Sequence, residues 1–171
     1  MNNRILRLFV AINFNRETRD KLITLQDGLR ARSERGNFTL AENLHITLSF
    51  LGDSDPRQAV AAKAVIDTLQ FAPFAVSIES LGCFRRDRGD LWWAGVAANK
   101  PLLGLQRRLT DSLAGVGFEP EKRKYSPHVT LARQVVTDAI PWPIEPFDET
   151  VNKIHLMKSE RINGKSTYTS I

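Results

Sequence analysis

Leu44-His45-Ile46-Thr47-Leu48 and Pro127-His128-Val129-Thr130-Leu131 are two copies of one short pattern in this chain of 171 residues. In each copy a histidine and a threonine stand two positions apart, among the β-branched residues and leucines that favour an extended strand. Because side chains alternate between the two faces of a strand, each histidine and its threonine face the same side. Each copy therefore predicts one half of a site.

Length and composition limit the class of protein. A chain of this length buries about 70% of its unfolded surface and needs no metal or disulfide to fold. Cys83 is the single cysteine, so no internal bridge can form and a reducing cytoplasm is expected. The apolar run at residues 8–12 is shorter than the core of a signal peptide or a membrane span. We expect a soluble, cytoplasmic protein and, since no heptad pattern or long exposed apolar stripe occurs, a monomer.

The charge balance favours a phosphate-rich partner. Lysine and arginine number 24 against 19 aspartates and glutamates, a formal net charge of +5. Two clusters concentrate the positive charge, Arg85-Arg86-Asp87-Arg88 and Lys122-Arg123-Lys124, and the second lies just before the second motif. Either cluster is equally consistent with an ordinary solvated loop.

Strands and helices alternate along the chain. The sequence predicts strands at residues 7–12, 44–51, 74–78, 91–96, 126–133, 151–158 and 167–170. The proline-rich stretch 141–146 predicts irregular structure until Val151, and Asn163-Gly164 predicts the turn of a closing hairpin.

Three helices are expected between the strands. Leucines on one stripe predict a helix over 16–35, which Gly36-Asn37 ends. An alanine-rich helix over 56–69, with Val60 at one of its turns, is expected to begin at an N-cap, Asp55, followed by Pro56. Leucines and Val116 continue a third helical stripe from residue 102 toward Gly117. A helix and a motif strand in each half of the chain predict an α+β fold with an internal duplication.

Two His-x-Thr strands facing one another would suit displacement at phosphorus. One neutral imidazole accepts a proton from the attacking hydroxyl or water and one protonated imidazole gives a proton to the departing oxygen, each transfer contributing about 10²–10⁴-fold. The threonine hydroxyls can donate to phosphate oxygens, where one preorganised donor contributes about 3–4 kcal/mol. No metal site or cofactor is predicted, because Glu42 is the only further His, Cys or carboxylate within four residues of either motif histidine. The third histidine, His155, is interpreted as structural.

With both motifs and their flanks considered, the chain resembles the two-histidine phosphoesterase superfamily, and more closely the bacterial RNA 2′,3′-cyclic phosphodiesterases once named 2′-5′ RNA ligases. The resemblance rests on segments spread over nearly the whole chain: Arg7-Leu8-Phe9-Val10-Ala11-Ile12, residues 42–52, Leu91-Trp92-Trp93-Ala94-Gly95, Gly117-Phe118-Glu119-Pro120, residues 125–133, Leu156-Met157-Lys158-Ser159-Glu160 and Tyr168.

This resemblance implies a single bilobal domain over 1–171, in which two antiparallel sheets form a concave cleft with the helices packed outside and a pseudo-twofold axis relates the two motifs. It implies that His45 gives a proton to the departing 3′ oxygen, that His128 activates water, and that Thr47 and Thr130 hold the phosphate of an RNA 2′,3′-cyclic end. Nothing in the sequence itself distinguishes the two histidines.

Three neighbouring residues are further candidates for substrate contact. Arg133 belongs to the family-like ending Leu-Ala-Arg, yet strict alternation places it opposite His128, so only a strand end or a bulge would bring it to the phosphate. Tyr125 and Phe50 are candidates for stacking on a terminal base, although alternation directs Phe50 into the core.

Other functions remain open at this point. Hydrolysis of RNA 2′,3′-cyclic ends, with reverse 2′-5′ ligation, competes with a non-catalytic RNA- or nucleotide-binding role, for which the basic clusters would serve equally well. A phosphodiesterase acting on a small cyclic nucleotide is the third alternative. A matched pair of histidines favours the enzyme, since a binding protein has no need of an acid and a base.

Overall fold

Antiparallel strands and three helices together form most of residues 4–171, the part of the chain that the computed structural model describes. The strands are β1 (Leu6–Asn13), β2 (Ser33–Phe38), β3 (His45–Ser54), β4 (Phe74–Phe84), β5 (Asp90–Val96), β6 (His128–Thr137), β7 (Phe147–Val151), β8 (His155–Ile162) and β9 (Lys165–Ser170). The helices are α1 (Arg16–Ala31), α2 (Pro56–Thr68) and α3 (Lys100–Ala114). The predicted α+β class is confirmed.

The sheet consists of two half-sheets that meet at one residue pair. Its strand order is β7-β4-β5-β6-β3-β1-β8-β9, and β2 pairs with β6 outside this path. Between β3 and β6 the single registered pair is Ile46 with Val129. We call β3, β1, β8 and β9 the β3 half and β6, β5, β4 and β7 the β6 half. The two antiparallel sheets implied by the resemblance correspond to these two halves of one continuous sheet, which are joined along this seam.

The two halves share the same order of strand, helix and motif strand. In the β3 half the chain runs from β1 through α1 to the motif strand β3, and in the β6 half from β5 through α3 to the motif strand β6. In each case the first strand pairs antiparallel with the motif strand. The repeated strand, helix and motif strand correspond to the duplication that the sequence predicted.

The core lies between the helices and the face of the sheet opposite the motif histidines. Ile46 and Val129 are fully buried there, in one cluster with helix residues such as Leu22 and Leu102. Burial of each such side chain contributes about 1.5–3 kcal/mol. A smaller cluster packs Leu29 of α1 against Trp92 and Val135. The helices therefore hold the sheet from one side and leave the opposite face for the site.

Helix starts agree with the sequence prediction, whereas two details of helix packing do not. Asp55 accepts from the backbone N–H of Gln58 at 2.8 Å and the Gln58 side chain accepts from the Asp55 N–H, a complete capping box before Pro56. Val60 is 71% exposed and Val116 is 44% exposed, so neither belongs to the core. In α2 the buried stripe instead consists of Ala59, Ala62 and Ile66.

Two strands were not predicted. The predicted helix over 16–35 ends at Ala31, and the chain continues as β2 because its backbone pairs with the edge of β6. This strand is largely exposed, so its sequence has no apolar alternation to indicate it. The predicted strand over 151–158 is divided between β7 and β8, and β7 begins already at Phe147. Glu149 is a charged residue at a buried position of β7, so the sequence of this strand does not show the apolar and polar alternation that would indicate it.

Candidate active site

The seam between the half-sheets brings the two motifs together. Ile46 follows His45 and Val129 follows His128, so pairing of these two hydrophobic residues sets the motif strands side by side in opposite directions. The side chains of His45, Thr47, His128 and Thr130 all line one cavity of about 360 Å³. All four motif residues predicted from the sequence are therefore brought to one place.

His45 is held at both ring nitrogens. Nδ1 lies 2.6 Å from the carbonyl oxygen of Asn43, which can only accept, so the ring carries a hydrogen at Nδ1. Nε2 lies 2.8 Å from the Thr47 hydroxyl. The rings of Phe9 and Tyr168 pack against the imidazole at centroid distances of 5.0 and 5.5 Å. These contacts fix the ring and leave Nε2 as its proton-exchanging atom.

His128 is oriented by the same backbone device. Its Nδ1 lies 2.9 Å from the carbonyl oxygen of Ser126, again two residues before the histidine. The edge of the Trp93 ring lies beside it, at a centroid distance of 6.4 Å. Unlike His45, His128 is exposed to solvent. The two imidazoles thus share an orientation mechanism and differ in their access to water.

Burial makes His45 a weaker base than an ordinary histidine. Loss of hydration lowers the pKa of His45, the hydrogen bond to Asn43 partly opposes this, and the positive charges of His128 and Arg133 lower the pKa further. In the free protein His45 is therefore neutral near pH 7. An anion in the cavity would offset the charge of Arg133 and raise the pKa of His45 again.

Both motif strands bulge at the third residue after the histidine. Along β3, Thr47 pairs with Ala11 and Ser49 with Val10, so Leu48 has no partner across the strand. Along β6, Thr130 pairs with Trp93 and Ala132 with Trp92, so Leu131 likewise has no partner. A bulge inserts one residue and shifts every later side chain to the other face.

The bulges decide where Arg133 and Phe50 lie. Arg133 lines the cavity of the two histidines, on the side that strict alternation excluded. Phe50, at the equivalent position of β3, also lines that cavity and is 58% exposed, so the expectation that it packs in the core is wrong. A local insertion of this kind leaves no mark on the alternation pattern of either strand.

Comparisons with known proteins identify the family of this chain. A family model described as the 2′-5′ RNA ligase superfamily matches residues 18–163, a range that contains both motif strands. The chain belongs to the 2′-5′ RNA ligase superfamily. The family resemblance stated from the sequence is confirmed.

Relatives of this superfamily member cover most of its length. An RNA 2′,3′-cyclic phosphodiesterase of Methanothermobacter thermautotrophicus is 35% identical over 131 residues, which is 75% of this chain and 71% of that protein. An RNA 2′,3′-cyclic phosphodiesterase of Escherichia coli is 28% identical over 169 residues, covering 96% and 93% of the two chains. The crystal structure of E. coli LigT complexed with 3′-AMP is similar with a TM-score of 0.84 and 27% identity, covering 98% and 96% of the two chains.

In this superfamily member each bulge is supported by a glutamine from a helix. The side-chain amide of Gln26 in α1 donates to the carbonyl of the bulged Leu131 at 2.9 Å and to the carbonyl of Thr39 at 2.8 Å. Gln106 in α3 donates to the carbonyl of the bulged Leu48 at 3.3 Å. A bulge interrupts the ladder, and these amides supply donors to the backbone acceptors there; the Leu131 carbonyl also accepts from the backbone N–H of Thr39 at 3.0 Å.

Tyr125 connects the second motif to the first. Its hydroxyl donates to the backbone carbonyl of Thr47 at 2.8 Å, and burial raises the pKa of this phenol. The phenol therefore stays protonated and acts as a donor. The residue also lines a cavity that reaches His128, together with Phe50, Arg123 and Lys124.

Sequence reasoning did not assign Asn43, Phe9 or Tyr168 to the site. Besides orienting His45 through its carbonyl, Asn43 donates from its side chain to the carbonyl of Ser166 at 2.8 Å, which ties the first motif to β9. Phe9 and Tyr168 enclose the His45 ring from β1 and β9. Only the resemblance contained a signal for these residues. Phe9 and Tyr168 come from strands distant in sequence, and Asn43 orients His45 through its backbone carbonyl, which residue type does not indicate.

His155 lies apart from the two motif histidines. It lines a different cavity with Glu149 and Lys153, and burial followed by the charges of Lys153 and Lys63 lowers its pKa. Within residues 4–171 no group of three or more His, Cys, Asp or Glu side chains is arranged to hold a metal ion. In the same part of the chain no helix is long and apolar enough to cross a membrane.

Proposed function

We propose that this protein hydrolyses the 2′,3′-cyclic phosphate at the end of an RNA strand to a 2′-phosphomonoester, using two histidines as acid and base. The observation that carries the proposal is the single cavity lined by both histidines and both threonines of the duplicated motif. Membership of the superfamily and the names of the relatives in M. thermautotrophicus and E. coli support it.

The proton transfers follow from the two imidazoles. His128, exposed to solvent, takes a proton from water at Nε2 as the water oxygen bonds to phosphorus. The bond between phosphorus and the 3′ oxygen breaks, and the departing oxygen receives the proton from Nε2 of His45. The negative charge of the bound phosphate favours protonation of His45, which its surroundings disfavour in the free protein.

Thr47, Thr130 and Arg133 are proposed to bind the phosphate. All three line the cavity of the histidines, where the hydroxyls donate to non-bridging oxygens and the guanidinium pairs with the negative charge. Tyr125 is proposed to hold the Thr47 backbone in position and, with Phe50, to contact the terminal base.

Further properties belong to the same proposal. Reverse 2′-5′ ligation is expected because acid and base exchange roles in the reverse direction. We propose that residues 1–171 act as one bilobal domain, since neither half contains a complete site. The lone Cys83 supports a reducing cytoplasm as the place of action, and we propose a monomer, to be checked by light scattering.

The test is hydrolysis of an oligoribonucleotide that ends in a 2′,3′-cyclic phosphate, in excess chelator, with identification of the product isomer. We expect the parent protein to form the 2′-phosphate, and His45→Ala and His128→Ala each to lose at least about 10²-fold in kcat, the low end for one proton transfer. His155→Ala is the matched control and should retain parental activity. Absence of turnover by the parent, with retained binding of the RNA, would contradict hydrolysis and favour the binding role.

A further inference from the structure

A groove rich in arginine leads away from the catalytic cavity. It has a volume of about 530 Å³ and its lining includes Arg86, Arg88, Arg133 and Arg161, with Leu91 and Asn37 between them. Arg133 also lines the cavity of the two histidines, so the groove adjoins the proposed phosphate site. We call these six residues the arginine groove. No carboxylate is among the described residues that line it.

Not every arginine of the cluster at residues 85–88 serves the groove. The guanidinium of Arg85 donates to the carboxylate of Asp90 and to the carbonyl of Ala139, so Arg85 holds the connection between β4 and β5 in place. Arg86 and Arg88 are exposed and line the groove. The hairpin thus uses one cation for its own structure and directs two toward the groove.

An aromatic surface lies beside these cations. Phe84 is 55% exposed and its ring contacts that of Trp93, at a centroid distance of 5.8 Å. Trp93 lies across Gly82, where a Cβ would come within 2.1 Å of the indole ring. Only glycine leaves room for the indole to lie on the sheet. Phe84 pairs in register with Leu91 of the groove lining, and Trp93 reaches His128 on its other side.

We propose that the arginine groove and the Phe84 ring bind the nucleotides that precede the cyclic phosphate in a single-stranded RNA. This inference rests on the proposed function and specifies its substrate as an oligonucleotide. A 2′,3′-cyclic phosphate lies at the 3′ end, so only one strand leaves the site, in the 5′ direction. Guanidinium groups next to an exposed aromatic ring match the alternation of phosphates and bases along such a strand.

A second route out of the cavity passes Arg123 and Lys124. The cavity along this second route is also lined by Glu121, and more of its surface is apolar than in the arginine groove. It therefore attracts a chain of phosphates less strongly. Of these two routes, the arginine groove, with four guanidinium groups, is the better match for the RNA strand.

The test compares two substrates with the same terminal base: a nucleoside 2′,3′-cyclic phosphate and a single-stranded octamer that ends in the same group. The Arg86→Ala/Arg88→Ala double variant is expected to lower kcat/KM for the octamer at least tenfold, with less than a twofold change for the mononucleotide. The slope of log kcat/KM against log salt concentration for the octamer should become shallower by about 1.4, or 0.7 for each lost contact to a single strand. Phe84→Ala should lower kcat/KM for the octamer about fivefold or more, as expected for one stacked base.

Two double variants of equal charge serve as comparisons. Arg16→Ala/Arg57→Ala removes two exposed arginines from α1 and α2 and should leave both substrates unchanged. Arg123→Ala/Lys124→Ala tests the other route. The proposal is overturned if the Arg86→Ala/Arg88→Ala variant retains parental kcat/KM for the octamer, if it slows both substrates equally, or if the Arg123→Ala/Lys124→Ala variant alone carries the octamer effect. Failure of the proposed hydrolysis is a different result, because the parent would then turn over neither substrate.

Discussion

Each motif histidine is oriented by the carbonyl two residues before it. Asn43 serves His45 and Ser126 serves His128, at 2.6 and 2.9 Å. A backbone acceptor at this position keeps the hydrogen on Nδ1 whatever the neighbouring side chains are. Both rings consequently use the same nitrogen for proton exchange, although their flanking residues differ.

Arg133 is predicted to influence the titration of His45. Arg133→Gln removes one of the positive charges that, after burial, lower the pKa of His45, so the pKa should rise toward its ordinary value. Imidazole nitrogen NMR as a function of pH measures this directly, with the His45 signal assigned from His45→Gln. Inorganic phosphate should also raise the pKa of His45 in the parent, and less so in Arg133→Gln.

The sign of the stability effect follows from the same shift. Folded His45 binds its proton less readily than in the unfolded chain, so its contribution to stability is present at high pH and is lost as the pH falls below the ordinary histidine value of 6.5.

Arg57→Gln, on the helical side of the sheet, is the control for Arg133→Gln and should leave the titration of His45 unchanged. An unaltered pKa in Arg133→Gln would contradict a guanidinium that faces the ring.

At the scale of elements, the sequence predicts what local patterns determine. The motif strands, the N-cap Asp55 before Pro56 and the hairpin turn at Asn163-Gly164 are all confirmed, because residue type and spacing fix them. The strand β2 and the two bulges were not predicted, since they depend on pairing with strands distant in sequence. The position of Arg133 depends on the bulge at Leu131, which is why strict alternation predicted that its side chain lies on the opposite face of the strand.

The support of the bulges by helix glutamines leads to a prediction about stability. Gln26→Met removes the side-chain donor of the Thr39 carbonyl and one of the two donors of the Leu131 carbonyl, so the free energy of unfolding should fall by about 1–3 kcal/mol. Urea unfolding monitored by tryptophan fluorescence measures the loss. Gln106→Met is the matched comparison and should lose less, because Gln106 is only partly buried and its bond to Leu48 is longer. Equal losses in the two variants would argue against this account of the bulges.

At the scale of the whole molecule, function depends on how two similar halves are set against one another. Each half provides one histidine, one threonine and one residue turned by its bulge, so neither half holds both histidines. The halves are joined at the single registered pair of Ile46 and Val129. Both residues are fully buried. Because the strands run in opposite directions, His45 and His128 lie on opposite sides of this pair.

The seam is therefore expected to control catalysis separately from stability. Val129→Ala and Val76→Ala each remove two methyl groups from a fully buried position, and each should cost about 2 kcal/mol of unfolding free energy. Val76 lies in β4, where it pairs with β7 away from the seam. Only Val129→Ala should lower kcat for opening of the cyclic phosphate, because a small displacement between acid and base is costly. Equal kcat values in two variants of equal stability would show that other contacts set the distance between the half-sites.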